Sequence, residues 1–360
     1  MRSHEPGPDE IEAAHARISL HVRRTPLLET ASPVAGAPRI SLKLEFLQHA
    51  GSFKPRGAFN NLLTRAAPPV GCATASGGNH GAAVAYAAGR LGIRARVFVP
   101  EIAAPVKIAK IKAFGADVHV EGATYYEALA LCEAYVAESG ALAVHAYDSA
   151  ATIAGQGTVG REWEQDLARL GAPPLDTVLV AVGGGGLIAG IAAWFARRVK
   201  VVGVEPEGSR ALHAAWEAGG PVDVEVRSVA ADSLGARRVG DLCWAICRSG
   251  VAEVALVTDE AIRQAQRDLW RDLCMVAEPG GAAAYAALAS GAYRPARDER
   301  VGVLLCGANE DLAAFPREGQ CSSVKAFRRR TLLPSRGESV VISIRPKKLS
   351  ERNFDLSERY

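Results

Sequence analysis

Short apolar runs of strand character alternate along this chain with longer, alanine-rich runs of helical spacing, and that order leaves few architectures open. ISLKLEF (40–46), GCATAS (71–76), RARVFVP (94–100), ADVHVEG (116–122), DTVLVAV (176–182), VKVVGVEP (199–206), VAEVALVTD (251–259) and RVGVLLCGAN (300–309) read as strands. Between them, NNLLTRA, GGNHGAAVAYAAGRLG, IAAPVKIAKIKAFG, YYEALALCEAYVAESG, residues 152–170 and GGGGLIAGIAAWFARR read as helices. Parallel strands need long crossover connections, and helices between successive strands supply them. The reading is an α/β protein built on parallel sheets. In such folds ligands bind at the carboxyl ends of strands, where loops open onto helix N-termini.

Three stretches at helix starts are candidates for that chemistry. SGGNHG (76–81) offers backbone N–H groups, a hydroxyl, an amide and an imidazole within six residues. GGGG (183–186) has no side chains, so its backbone can close around a ligand oxygen. Both place orphan N–H groups and the positive end of a helix dipole where an anion could sit. In GSFKPRGA (51–58), Lys54 stands between Phe53 and Pro55, with a glycine three residues to either side. A surface lysine needs no such frame, and a buried one is costly unless bonded to something. A dinucleotide fingerprint through Gly183 and Gly185 fails at Ile188, and no Gly-Lys-Ser/Thr follows for a P-loop. Two anion-binding loops and a framed lysine suit a small anionic amino acid and a phosphorylated cofactor.

At 360 residues, 49% of them hydrophobic, the chain can bury one large core or two smaller ones. Its net charge is +3, but residues 321–360 hold ten Lys+Arg against four Asp+Glu, leaving 32 basic and 35 acidic groups in residues 1–320. The body has no broad basic field for nucleic acid, and the tail 321–360 reads as a solvated basic end of unknown role. No apolar stretch reaches the roughly 18 residues of a membrane span, and RSHEPGPDE after Met1 is no secretory signal. Seven irregularly spaced cysteines point to a reducing, cytoplasmic setting. Cys243 and Cys247 lack a second pair at zinc spacing and read as core fillers.

Eight motifs then occur in order: GSFKPRGA, SGGNHG, AGQGT (154–158), VGGGGL, EPEG (205–208), ADSLGA (231–236), AEPGGAA (277–283) and CGAN (306–309). Over about residues 10–315 the chain resembles the serine/threonine dehydratases, pyridoxal-phosphate enzymes of the tryptophan-synthase-β-like class. The resemblance implies the fold of that class (PLP fold type II), with two domains, each a mostly parallel open sheet flanked by helices. Residues 1–65 and 149–320 would form the large cofactor-binding domain and residues 66–148 the small one. It also implies a homodimer and a small amino-acid substrate. Lys54 would carry pyridoxal 5'-phosphate covalently and act as the base, its pKa lowered by desolvation. Phe53 would pack on the cofactor ring, Asn79 would bond its ring oxygen, and Gly183, Gly184, Gly185, Gly186 and Leu187 would cradle its phosphate. Cys306 would face the ring nitrogen and Glu278 would form part of the cofactor wall. Ser76, Gly77 and His80 would hold the substrate carboxylate, Gly235 and Ala236 would line its side-chain pocket, and Gln156 would be a supporting donor.

Departures from the family pattern narrow the expected reaction. Related serine racemases carry a serine where this chain has Gly77, so racemisation is disfavoured. Cysteine synthases follow the lysine with Asp-Arg and end the loop in Asn-Thr; here Pro55 and Arg56 follow Lys54, and His80 follows Asn79. Some relatives bind a divalent cation at positions matching Glu205, Ser209 and an acidic or polar third residue, which is Ala211 here. The 40 residues after Gln320 are too few for the regulatory domain of biosynthetic threonine dehydratases. The expectation is β-elimination of water from a 3-hydroxy amino acid, L-threonine or L-serine by default, to a 2-oxo acid and ammonia. The alternative is a racemase or β-replacement lyase.

Overall fold

The structure, a computed structural model, describes residues 4–311; the basic tail singled out above lies outside the described residues. The chain runs α1 (Pro8–Ile18), β1 (Leu27–Thr30), β2 (Ile40–Lys43), α2 (Lys54–Thr64), β3 (Cys72–Ala75), α3 (Asn79–Leu91), β4 (Ala95–Val99), α4 (Pro105–Ala113), β5 (Asp117–Val120), α5 (Tyr125–Ser139) and β6 (Leu142–Ala143). It continues through α6 (Ala150–Arg169), β7 (Thr177–Ala181), α7 (Gly186–Phe195), β8 (Lys200–Pro206), α8 (Ala211–Ala218), α9 (Ala231–Leu234), α10 (Asp241–Gly250), β9 (Glu253–Val257), α11 (Asp259–Leu273), α12 (Pro279–Ser290) and β10 (Val301–Leu304).

Two sheets result. Six strands in the order β1-β2-β10-β7-β8-β9 form the larger, and four in the order β5-β4-β3-β6 form the smaller. Among the described residues every strand pairing is parallel except β1 with β2. All eight expected strands are present. The predominantly apolar runs of β7 and β10 are buried at every position, as central parallel strands covered on both faces require. The smaller sheet draws on residues 72–143 and the larger on the flanking segments.

Glycine contacts fix the helix that carries Lys54. A Cβ on Gly155 of α6 would lie 2.7 Å from the Cα of Gly57 on α2 and 2.6 Å from the Arg56 carbonyl. On the opposite side, a Cβ on Gly190 of α7 would lie 2.5 Å from the Gly157 nitrogen. Three helices therefore cross with backbones nearly touching, which only glycine permits. Beneath them lies a buried ionic cluster. Arg56, Glu45 and Lys43 are 0% exposed and Glu162 is 2% exposed, so each charge must find its partner inside. Arg56 donates to both oxygens of Glu45 (2.5 and 3.0 Å), to Glu162 (3.0 Å) and to the Thr158 hydroxyl (3.2 Å). Lys43 Nζ donates to Glu162 (2.7 Å) and to the Thr25 carbonyl (2.7 Å).

Candidate active site

Lys54 opens α2, with Pro55 in the first turn, where the missing N–H costs no helical hydrogen bond. Its Nζ donates to the Ala146 carbonyl at 2.9 Å and lies 5.1 Å from the centroid of the Phe53 ring. Burial lowers its pKa to about 8, against the opposing influence of Cys306, Cys243 and Glu278. A recess of about 40 Å³ beside it is lined by Phe53, Asn79, Gly183–Leu187, Glu278 and Cys306. All ten residues expected to hold the cofactor therefore meet in one place.

The N–H groups of Gly183 through Leu187 find no acceptor among the described residues, and they stand at the start of α7, where an anion is favoured. The need for glycine there comes from the protein as much as from a ligand. A Cβ on Gly184 would collide with the Tyr147 ring, and one on Gly186 would lie 2.8 Å from the Tyr147 Cα. Gly185 adopts φ 98°, a left-handed conformation, with Cys243 directly behind it. Asp148 fixes this wall by accepting from the N–H groups of Asp241, Leu242 and Cys243 at the start of α10.

On the far side of the recess Cys306 is 4% exposed and burial pushes its thiol up to about 12, so it stays protonated; its Sγ lies 3.6 Å from the Gly280 carbonyl. Glu278, 3% exposed, accepts from Asn79 Nδ2 at 2.5 Å. Its Oε2 is buried without a partner among the described residues, and burial raises its pKa. The recess thus offers an amine, a thiol, an amide, an unsatisfied carboxyl oxygen and a row of unpaired N–H groups on a glycine cradle. That donor set fits a phosphorylated aromatic aldehyde such as pyridoxal phosphate.

A larger cavity of about 630 Å³ shares Lys54, Asn79, Tyr147, Gly184 and Ser233 with the recess. Ser76, Gly77, Gly78 and His80 line one side of it, and Gly235 and Ala236 another. The N–H groups of Gly77, Asn79 and His80 have no acceptor among the described residues. The His80 ring, however, is bonded to the Val144 carbonyl at 3.0 Å, and burial lowers its pKa to about 3. Its contribution at the loop is therefore the main-chain N–H rather than the imidazole.

Three expected residues lie elsewhere. Gln156 is 1% exposed and packs under α2, its Nε2 2.5 Å from where a Gly57 Cβ would be, and it lines neither cavity. The AGQGT motif marks the helix crossing instead. Glu205 accepts from the Leu212 and His213 N–H groups (2.8 and 2.9 Å) at the start of α8, and burial raises its pKa to about 8. The Ser209 hydroxyl donates to the Leu234 carbonyl at 2.8 Å. Glu205 and Ser209 thus have other partners and line neither cavity, and no cluster of three or more His, Cys, Asp or Glu suited to a metal occurs among the described residues.

Sequence reasoning missed Tyr147, which walls both cavities, and the outer wall formed by Ile102, Val106, Tyr125 and Tyr126. None of these belongs to a motif. Ile102, Val106 and Tyr126 are 82%, 57% and 46% exposed, so they form an apolar rim around the larger cavity. The Lys107–Asp232 ion pair and the stacking of Arg237 on Tyr126 (5.4 Å) join that rim to residues 232–237.

The family described as pyridoxal-phosphate dependent enzyme matches residues 18–307. A phenylserine dehydratase of Ralstonia pickettii is 40% identical over 323 residues, 87% of this chain and 96% of that protein. The biosynthetic L-threonine dehydratase of Escherichia coli (strain K12) is 36% identical over 304 residues, covering 80% of this chain and 58% of that protein. Among solved structures, a threonine deaminase from T.th. superposes with TM-score 0.78 at 36% identity (85% of this chain, 99% of that one). Maize serine racemase superposes with TM-score 0.79 at 32% identity (86% and 95%).

Proposed function

The chain belongs to the pyridoxal-phosphate-dependent enzymes and is an ammonia-lyase of the dehydratase kind, and from that premise we propose that it dehydrates a 3-hydroxy amino acid bearing a bulky, apolar 3-substituent, of the phenylserine type. The carrying observation is the cavity of about 630 Å³ that opens from Lys54 onto Ile102, Val106, Tyr125 and Tyr126. A serine or threonine side chain would leave that apolar wall in contact with water, whereas an aryl group would cover it. The 40% identity to a phenylserine dehydratase supports the same reading.

When bound, pyridoxal phosphate supplies the electron sink for loss of the α-proton. Lys54 would anchor it and, as a free amine, would take that proton; a pKa near 8 leaves a useful fraction neutral at physiological pH. The unpaired N–H groups of Gly77, Asn79 and His80, with the Ser76 hydroxyl, hold the substrate carboxylate. Gly183–Leu187 hold the cofactor phosphate. Cys306, kept neutral by burial, would put no charge on the wall of the recess that would hold the cofactor ring, so the ring would be a weaker electron sink than one paired with a carboxylate. Tyr125, Tyr126 and the rim exclude water around the substituent. Water is lost on elimination and one water is taken up when the released enamine hydrolyses, so the net products are a 2-oxo acid and ammonia.

The test is 2-oxo acid release by the holoenzyme across L-serine, L-threonine and L-threo- and L-erythro-3-phenylserine. The reading requires phenylserine to have the highest kcat/KM; a preference for threonine or serine would restore the smaller default substrates. Loss of optical activity without oxo-acid release would instead indicate a racemase. The further expectations of a homodimer and a cytoplasmic setting belong to the same proposal, and light scattering of the purified holoenzyme checks the first. No described helix is long and apolar enough to cross a membrane.

A further inference from the structure

Lys110 reaches the active site through a file of amides. It projects from α4, half-buried, and its Nζ donates to Oδ1 of Asn309 in the loop after β10. Asn309 Nδ2 donates in turn to the Ala50 carbonyl (2.8 Å) and to Asn79 Oδ1 (2.5 Å). Asn79 Nδ2 then donates to Glu278 Oε1 at 2.5 Å. An ammonium can only donate and a carboxylate only accept, so the two ends set the direction of both amides between them. Ala50, which fastens the middle of the file, has φ 58° and ψ 10°, a left-handed conformation that an alanine adopts at a cost. Such a conformation persists only where surrounding contacts over-determine it.

The file ends in the cofactor recess. Asn79 Nδ2 carries two hydrogens; Glu278 takes one, and the other remains for a ligand. Lys107, one turn before Lys110 on α4, pairs with Asp232, and both lysines have pKa values lowered by burial, with the Glu278 charge opposing in part. Removing the ammonium would free Asn309 to rotate, and Asn79 could then present its oxygen where it now presents N–H.

We propose that Lys110 is a positioning residue for the cofactor, fixing through Asn309 the donor face that Asn79 turns toward the oxygen on the cofactor ring. This goes beyond the substrate reading and rests only on membership of the pyridoxal-phosphate family. The ammonium sets the orientation of the amide file, and that orientation sets the environment of the bound chromophore.

The experiment uses holoenzyme reconstituted with pyridoxal phosphate and no substrate. The visible absorption spectrum and the cofactor dissociation constant are compared for the wild type, Lys110→Met, Lys110→Arg and Lys112→Met, the last an exposed lysine on the same helix. Lys110→Met should shift the visible band and weaken cofactor binding about fivefold or more. Lys110→Arg should retain most of both properties, and Lys112→Met should match the wild type. An unchanged spectrum in Lys110→Met, whatever its thermal stability, overturns the proposal. So do equal changes in Lys110→Met and Lys112→Met. If Lys110→Met fails to fold, Lys110→Gln, which keeps a donor without the charge, is read by the same two measurements. A failure of the aryl-substrate reading leaves both readouts intact, because no substrate is present.

Discussion

Lys54 holds its amine where burial favours the neutral form, with a pKa of about 8 in the cofactor-free protein. Only the neutral amine attacks an aldehyde. The rate of cofactor capture by the apoprotein, trapped by borohydride reduction and read by mass, should therefore rise with pH with a midpoint near 8. A midpoint near the ordinary lysine value of about 10.4 would show that the recess does not tune the amine. Lys54→Ala should yield no reduced adduct at any pH and lose oxo-acid production by about a thousandfold or more. Gly77 is constrained differently: a Cβ there would lie 2.6 Å from the Ala103 Cβ and 3.1 Å from Val99 Cγ1. Gly77→Ser alone should thus lower dehydratase kcat/KM without producing a racemase, and Gly77→Ser with Ala103→Gly should recover part of the loss. Substrate inversion by the single variant, followed by chiral chromatography, would contradict that steric account. At this scale the residue types were readable, because chemistry demands an amine, glycines and a small polar atom. What they touch was not: the turn of the His80 ring to Val144 depends on the segment just after β6, 64 residues away.

Helix α2 is positioned by two devices that lie off the reaction path, the Gly57–Gly155 approach and the Arg56 cluster. Arg56→Met would leave Glu45 and Glu162 buried beside one fewer cation, a loss of about 3–5 kcal/mol. Urea denaturation of the apoprotein measures it, and a change below about 1 kcal/mol would mean that water or rearrangement replaces the guanidinium. The eight strands read from the sequence all form, most of them on apolar runs that a covered parallel sheet can use; β5, exposed or half-buried throughout, sits at its sheet edge and pairs with β4. Two further strands escaped. β1 is four half-buried residues at the sheet edge, and β6 is two residues paired only to β3. Neither run is long enough to show a period, so their existence follows from a neighbour rather than from themselves. α1 carried a signal that was not used: Ile11, Ala14 and Ile18 recur at helical spacing, and all three are buried.

Across the molecule, the cavity is assembled from loops of both sheets: residues 76–80, 100–107 and 125–126 from the smaller, and 184, 231–236 and 309–311 from the larger. The wall of this cavity therefore draws on residues of both sheets' connections. Tyr126→Ala, and separately Val106→Ala, should lower kcat/KM for phenylserine relative to threonine by about tenfold or more, with little effect on cofactor retention. Equal loss for both substrates would remove these side chains from the specificity wall. By itself the sequence determined the class of fold and, through its ordered motifs, the family and its cofactor, because these rest on local patterns: strand–helix alternation, a framed lysine and glycines at helix starts. Tertiary structure alone decided that AGQGT packs helices, that Glu205 and Ser209 bond to backbone groups, that Tyr147 shapes the glycine loop, and that an apolar rim surrounds the larger cavity. These depend on how the chain folds back on itself, and no local spacing records which side chains such contacts will join.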